Sequence, residues 1–420
     1  MVSALASLQQ FSRVLQLNPL FALSIILLGG FFLGKLAERV YLPEITGFIV
    51  AGLIAGPYAV GLIPYESKQE LQLLTELALS IIAFTVGSNL LRSTLARVGR
   101  SVAAMATGHI VLSFLFVTVG LSLVGMPPSI AMIMGVLAGG SSPGTVVATI
   151  QHERASGTFV EQLYGVVAVA TAATITIFGI VFSFTPLILG AEGSANTGIT
   201  DVFIGAVTDV AVSIGIGIVG GFLLHRITRR VQSQPRAVIL TLGVLATSTA
   251  VALAYGLSTL LLNMTVGTVF INLSPSPRRV MHSVGSWAPP LYAVFFVLAG
   301  AKLNPMILTQ STILLLGLTY VLSRIVGSYI GTSIGARVGG ADPSTATYLP
   351  LCLVPQAGVA LGLVLVLEDA PILTGLPVEI AGLLSQTISI MLLAILVKEI
   401  VGPPISAFAV RRAAVIRREP

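Results

Sequence analysis

The chain is a series of long apolar stretches separated by short segments rich in charged residues, glycine and proline. Thirteen windows of about 20 apolar residues fit between residues 19 and 402, and an α-helix of that length crosses a hydrocarbon core of about 30 Å. The pattern therefore predicts an all-α polytopic membrane protein with about 13 transmembrane helices. The predicted spans are 19–37, 43–62, 71–90, 102–124, 128–150, 162–188, 202–224, 237–254, 257–274, 287–303, 311–335, 346–367 and 378–402.

Two of the predicted spans are interrupted by helix-breaking residues. Span 128–150 contains Gly-Gly-Ser-Ser-Pro-Gly at 139–144, and span 346–367 contains Pro-Gln-Ala-Gly at 355–358. Each is the middle member of a group of three spans, and the two groups begin on opposite sides of the membrane. Broken helices at matching positions of oppositely oriented groups are typical of secondary transporters built from inverted repeats. The simpler interpretation is that membrane helices carry more glycine and proline than soluble ones.

Basic residues are distributed unequally between the two sides of these spans. With the N-terminus outside, eighteen of the 22 Lys and Arg residues fall on the cytoplasmic side, Lys398 among them. Only Arg13, Lys68 and Lys302 fall outside, and Arg324 lies within a span. By the positive-inside rule, we expect the N-terminus outside the cell membrane and the C-terminus in the cytoplasm.

Composition supports the membrane class and argues against several functions. Hydrophobic residues make up 55% of the chain and charged residues 9%, with a mean hydropathy of +0.99, whereas soluble domains average about 25% charged residues. The net charge of +6 arises at span ends, so the expected partner is the lipid bilayer and not nucleic acid. The lone Cys352 excludes an internal disulfide. No GxxxxGK[ST] phosphate loop, metal-ligand cluster or catalytic triad occurs, so the sequence predicts neither an enzyme nor a cofactor.

One arginine lies where a charge is costly. Arg324 is near the middle of the apolar run TILLLGLTYVLSRIVGSYIGTSIG, and a cation at that depth costs about 2.5 to 3.5 kcal/mol even on lenient insertion scales. An arginine cannot escape this cost by losing its proton. We therefore expect Arg324 to pair with Glu76, with backbone carbonyls at the breaks, or with the substrate itself.

Polar side chains at the two breaks are the candidate ion ligands. Gln356 lies directly at the second interruption, where its amide could bridge carbonyls and substrate. Glu76 is an acidic candidate inside a span, whereas His109 on an apolar face is more typical of a hydrogen-bonded core histidine. Hydroxyls also join membrane helices, so their assignment as ligands is the weaker one. The hydroxyl candidates around the first interruption are Ser141, Ser142, Thr145 and Thr149.

The order and spacing of several motifs resemble the monovalent cation:proton antiporters of the second large subgroup, with their Kef-like and sodium/proton exchanger relatives. The motifs are LPEITGFIVAGLIAGP at 42–57, LALSIIAFTVGSNL at 77–90, SSPGTVVATI at 141–150, YAVFFVLAGAKLN at 292–304, LPLCLVPQAGVALGLVL at 349–365 and KEIVGPP at 398–404. The resemblance implies two broken helices that cross near mid-membrane, a mobile core and a stationary dimerisation part. It also implies that Arg324 is the basic residue of the core.

This resemblance predicts one membrane transport domain over residues 1–420 that forms a homodimer. The expected core covers about 71–188 and 308–404, and the expected dimerisation scaffold about 1–62 and 202–303. The last segment, 405–420, is expected to be a short basic cytoplasmic tail.

The chain departs from the family pattern in the span 162–188. The family carries an Asp-Asp or Asn-Asp pair after Gly-Val-Val-Ala-Val, but here that stretch is followed by Ala170 and Thr171. Competition between a proton and a cation needs a group that either ionises or protonates. The expected function is therefore a transporter exchanging sodium or potassium for protons, with atypical coupling in which Thr171 occupies the carboxylate position.

Two other functions fit the same residues. A fixed positive charge on Arg324 could attract an anionic or small carboxylate substrate instead of a monovalent cation. A transport-inactive sensor or scaffold would need no ion coupling. A cation-dependent change of pH inside vesicles distinguishes the antiporter from both alternatives.

Overall fold

The computed structural model describes residues 18–40, 42–63, 67–88, 99–185, 199–231, 233–274, 277–304, 306, 310–356, 358–368 and 378–416. These residues are almost entirely α-helical, with one antiparallel pair of two-residue strands, Ala155–Ser156 and Val415–Ile416. The helices are Pro19–Arg39, Glu44–Ala55, Ser67–Ser88, Arg100–Leu123, Pro128–Ala138, Pro143–His152, Thr158–Ser183, Ile199–Thr228, Gln234–Ala254, Thr259–Leu273, Pro277–Ala301, Ser311–Val338, Pro343–Tyr348, Gly358–Glu368 and Val378–Ala413, with a 3-10 helix at Leu349–Leu353.

The number of membrane crossings agrees with the sequence prediction. Ten helical segments of the described chain are long and apolar enough to span a bilayer, and Glu44–Ala55 and Thr259–Leu273 are shorter apolar helices. The interrupted segment 343–368 adds one more potential crossing. The predicted fold class, an all-α polytopic membrane protein with about 13 spans, is confirmed.

The first break covers residues 139–142 and follows from local chemistry. Two glycines weaken the helix after Ala138, and a proline at position 143 disfavours helical geometry in the residue before it. Ser142 is accordingly extended, with φ −100° and ψ 96°. Its side-chain oxygen accepts a hydrogen bond from the Thr145 amide at 3.4 Å and caps the new helix. The predicted break is confirmed.

The second break covers residues 349–356. The chain tightens into a 3-10 helix over Leu349–Leu353, and the α-helix resumes at Gly358. Pro355 has no N–H, so it cannot continue the helical hydrogen bonds, and nearby carbonyls are left without helical partners. The predicted interruption at 355–358 is thus present, and it begins several residues earlier than the sequence motif indicates.

Glycines allow the helix that carries Arg324 to approach its neighbour closely. A Cβ atom added to Gly331 would lie 2.0 Å from the Gly108 carbonyl oxygen, and one added to Gly108 would lie 2.1 Å from the Gly331 oxygen. Glycines also recur every fourth residue at 327, 331, 335 and 339. Such small-residue spacing is typical of tightly packed membrane helices. The contact fixes helix Ser311–Val338 against helix Arg100–Leu123.

Helix Ser67–Ser88 packs mainly against helices that the sequence predicts to be scaffold. The hydroxyls of Ser80 and Thr249 lie 2.6 Å apart, and a Cβ on Gly87 would lie 1.9 Å from the Met264 carbonyl oxygen. The same helix makes fewer contacts with the broken helices. Its position therefore links the predicted scaffold to the predicted core.

The last helix extends beyond its predicted end at residue 402 and continues through two prolines to Ala413. Residues 405–413 are thus helical, and the strand Val415–Ile416 follows them. That strand pairs with Ala155–Ser156, and Arg411 makes two hydrogen bonds to Glu153 at 2.7 and 2.8 Å. These contacts hold the end of the last helix against the segment that follows the first broken helix.

Candidate functional site

Arg324 joins the two breaks through backbone carbonyls. Its Nε donates to the Ala138 oxygen at 3.0 Å and its Nη2 to the Gly140 oxygen at 2.7 Å, both at the first break. At the second break, Nη1 donates to Val354 at 3.0 Å and Nη2 to Leu353 at 3.2 Å. The side chain is fully buried. Carbonyl dipoles therefore compensate the guanidinium charge, which was one of the three expected partners.

His109 supports the first break from the neighbouring helix. Its Nε2 lies 3.0 Å from the Gly139 carbonyl oxygen and 3.3 Å from the Ser141 hydroxyl, while Nδ1 lies 2.8 Å from the Ser328 hydroxyl. A carbonyl oxygen only accepts, so Nε2 carries a proton and donates to Gly139. His109 is the buried, hydrogen-bonded histidine that the sequence predicted.

Gln356 bridges the two breaks from the other side. Its Nε2 donates to the Leu137 carbonyl oxygen at 2.8 Å, and its Oε1 accepts from the Lys398 ammonium and, at 3.4 Å, from the Tyr320 hydroxyl. The Lys398 nitrogen also lies 4.4 Å from the centre of the Tyr320 ring, a cation–π contact. The predicted place of Gln356 at the junction agrees with the structure.

The sequence interpretation missed two buried ionisable residues, Lys398 and Glu399. The charge count placed Lys398 on the cytoplasmic side, but that placement is wrong, because both side chains are fully buried within the last helix. Gly402 allows the last helix to approach the second break closely, since a Cβ there would lie 2.9 Å from the Pro355 nitrogen. Two adjacent charges in an otherwise apolar span were the available signal, under the same rule that singled out Arg324.

Glu399 places a carboxylate at the junction, whereas positions 170 and 171 of helix Thr158–Ser183 are alanine and threonine. The Thr145 hydroxyl donates to its Oε2 at 3.0 Å, and the Ser142 and Thr145 hydroxyls lie 2.7 Å apart. Among the residues that the structure describes, the other oxygen, Oε1, has no hydrogen-bond partner. Glu399 also interacts electrostatically with Lys398 and Arg324 and with the backbone N–H of Gln356. The junction therefore contains a titratable acidic group that the sequence analysis did not assign to it.

The remaining predicted site residues, which lie on three different helices, are Thr149, Thr171 and Glu76. The Thr149 hydroxyl donates to the Thr145 carbonyl at 2.9 Å within its own helix. Thr171 is buried, and its hydroxyl has no partner within the described ranges. Glu76 is half-buried on helix Ser67–Ser88, where the Ser80 hydroxyl donates to its backbone oxygen. The four hydrogen bonds of Arg324 go to carbonyls, so Glu76 is not the partner that the sequence offered as one option.

Comparison with known proteins identifies related folds. The chain is 24% identical over 289 residues to a putative K(+) efflux antiporter KefB from Alkalimonas amylolytica, a match that spans 66% of this chain and 42% of that protein. The sodium proton antiporter MjNhaP1 from Methanocaldococcus jannaschii, solved at pH 8, has the same fold with a TM-score of 0.68. That likeness covers 94% of this chain and 98% of the other at 17% identity.

The family match is the broadest of these sequence similarities. Residues 23–411 match the family described as sodium/hydrogen exchanger, transmembrane. The match includes both breaks, Arg324 and the Lys398 and Glu399 pair. The chain is therefore an integral membrane protein that belongs to the sodium/hydrogen exchanger family.

Proposed function

We propose that the protein is a secondary-active transporter of the monovalent cation:proton antiporter type, exchanging sodium or potassium for protons. The observation that carries this proposal is the meeting of the two breaks at a buried cluster that contains Arg324, Lys398 and Glu399. Interrupted helices place partly charged backbone groups at mid-membrane depth, where an ion can bind without bulk water. The names of the relatives, a potassium efflux antiporter and a sodium proton antiporter, support the same class.

Proton coupling follows from the acidic group in that cluster. A carboxylate either ionises and attracts a cation or takes up a proton, so the two ligands compete. The span 158–183 offers Ala170 and Thr171 at the position where the family resemblance expects an aspartate. Coupling in this chain would therefore use Glu399 and not the family's aspartate. The competition between a proton and a cation for a carboxylate would be the same.

The alternative of an anion transporter has weaker support. It requires the guanidinium of Arg324 to face the substrate, whereas Nε, Nη1 and Nη2 already donate to backbone carbonyls. Lys398 likewise donates to Gln356. Each of these basic nitrogens has a hydrogen-bond partner, whereas Oε1 of Glu399 has none among the described residues.

We also propose the arrangement in the membrane that the sequence predicts. The core of about 71–188 and 308–404 would move against a scaffold of about 1–62 and 202–303, in a homodimer with the N-terminus outside the cell and the C-terminus in the cytoplasm. The carbonyl contacts of Arg324 support a core that moves as one body, because they tie both broken helices together. Light scattering of the detergent-solubilised protein tests the dimer, and labelling of single cysteines at residues 18 and 340 from each side tests the orientation.

Proteoliposomes that contain a pH-sensitive dye test the function. With an acidic interior, addition of sodium, potassium or lithium chloride outside should raise the internal pH, whereas choline chloride should not. Liposomes without protein are the matched control. If no alkali cation causes a response and a labelled small carboxylate accumulates instead, the anion transporter is correct. If neither occurs, the sensor or scaffold is correct.

A further inference from the structure

We infer that Glu399, on the last helix, is the carboxylate that binds the transported cation, in place of the aspartate that is absent at Ala170 and Thr171. This inference rests on the proposed function and names the substrate ligand within that site. It places the acidic ligand on helix Val378–Ala413 and opposite the start of half-helix Pro143–His152.

The unpaired oxygen of Glu399 is the first supporting observation. The side chain is 0% exposed, and Oε1 has no hydrogen-bond partner in the described part of the chain, although the Gln356 backbone N–H also interacts with the carboxylate. A buried polar atom without a partner is costly, and a charged one more so. A bound cation would remove that cost by occupying the open side of the carboxylate.

The partners of the nearby basic groups are the second observation. Lys398 donates to Gln356 and lies over the Tyr320 ring, while Arg324 donates to carbonyls at both breaks. No lysine or arginine nitrogen of the described residues forms a salt bridge with Glu399. Two further titratable groups at the junction also have partners, since His109 is hydrogen-bonded to Gly139 and Tyr320 donates to Gln356. Glu399 thus forms no direct salt bridge with a neighbouring basic side chain of the described residues.

The surrounding hydroxyls complete a set of oxygen ligands. Thr145 donates its hydroxyl proton to Oε2 of Glu399, so the Ser142 hydroxyl, 2.7 Å away, donates to Thr145. One lone pair of the Thr145 oxygen therefore remains available. Sodium and potassium are hard cations and prefer oxygen ligands of this kind.

A purely structural role for Glu399 makes a different prediction. In that case the carboxylate only offsets the field of Lys398 and Arg324, with which it interacts electrostatically. Removing its charge would then lower the stability in every salt by the same amount. A ligand role requires that the variant lose the stabilisation that is specific to alkali cations.

Thermal unfolding of the purified full-length protein in detergent separates these roles. The measurement is the melting temperature in sodium, potassium, lithium or choline chloride at equal ionic strength. We expect at least one alkali cation to raise the melting temperature of the wild type relative to choline, because ligand binding stabilises the folded state. Glu399→Gln should lose this difference, and Glu399→Asp should keep it at a cation concentration at least about tenfold higher. Glu161→Gln, an exposed acidic residue of the neighbouring helix, is the matched control and should behave as the wild type.

A second pair of variants keeps the test decisive if Glu399→Gln does not fold. Thr145→Val removes the hydroxyl that contacts Glu399, whereas Thr145→Ser retains it. The valine variant should need more cation for the same stabilisation, and the serine variant should not. Equal responses of both variants to the cation would contradict the inference.

The outcomes also distinguish this inference from the proposed function. Cation exchange in proteoliposomes that survives Glu399→Gln overturns the role of Glu399 and leaves the antiporter assignment intact. Stabilisation by cations that depends on Glu399, without any exchange in proteoliposomes, supports the binding site and overturns antiport. A wild type that no alkali cation stabilises overturns the inference.

Discussion

Arg324 and Gln356 hold the same junction of the two broken helices from different positions. Arg324 donates to carbonyls on both sides, and Gln356, itself part of the second break, donates to Leu137 just before the first. The Tyr320 hydroxyl, one helical turn from Arg324, donates to Gln356 at 3.4 Å. The two breaks are therefore cross-linked by side chains, so a movement of one broken helix has to involve the other.

Arg324→Ala should destabilise the protein and abolish transport. The substitution leaves four buried carbonyls without their donor, and each unsatisfied buried group costs about 1 to 3 kcal/mol. Arg324→Lys should not restore function, because a single ammonium cannot reproduce the planar fork. Melting temperature and transport are the measurements, with Arg337→Ala at the exposed end of the same helix as the control. An Arg324→Ala variant with normal folding and transport would show that the cross-link is dispensable.

Gly331→Ala should destabilise the protein by forcing apart the two helices that position Arg324. The added Cβ would lie 2.0 Å from the Gly108 carbonyl oxygen, closer than any backbone can accommodate without moving. Overpacking typically costs about 1 to 3 kcal/mol. Gly243→Ala is the control, since a Cβ there meets nothing within 4 Å. Equal melting temperatures for the two variants would rule out the close contact.

Lys398→Met should strengthen cation binding while leaving the Glu399 carboxylate in place. Lys398 and Glu399 interact electrostatically, and a positive charge near a cation site repels the ligand in a low-dielectric interior. Removing that charge lowers the cation concentration needed for half-maximal stabilisation. Lys398→Arg retains the charge and is the matched variant. A Lys398→Met protein that no longer responds to cations would assign the essential role to the lysine.

The sequence predicts local features of this protein better than contacts between distant segments. A dense cluster of glycine, serine and proline favours a helix break through local backbone geometry, so the first break was predictable from 139–144 alone. The carbonyl partners of Arg324 lie in two segments that are 29 to 30 and 184 to 186 residues away in sequence. Their meeting is set by tertiary packing, including the contact between Gly108 and Gly331.

The acidic group was missed for a different reason. Lys398 and Glu399 lie near the predicted end of the last span at residue 402, where charges usually face the membrane surface. The helix instead continues to Ala413, so the pair lies well inside it. A span boundary placed by hydropathy is uncertain by several residues, and here that difference moves a carboxylate from the surface into the site.

Thr171→Asp should place an acidic ligand on helix Thr158–Ser183, where the family resemblance expects an aspartate. Thr171 is buried, and its hydroxyl has no hydrogen-bond partner in the described ranges, so no existing contact of that group is lost. In a Glu399→Gln background, the new aspartate restores one carboxylate to the protein, whereas Thr171→Asn restores a similar shape without the charge. We expect cation-dependent stabilisation to return in the aspartate variant only, because binding of a monovalent cation in low dielectric needs a compensating negative charge. Identical cation responses in the Asp and Asn double variants would mean that position 171 lies outside the ion pathway.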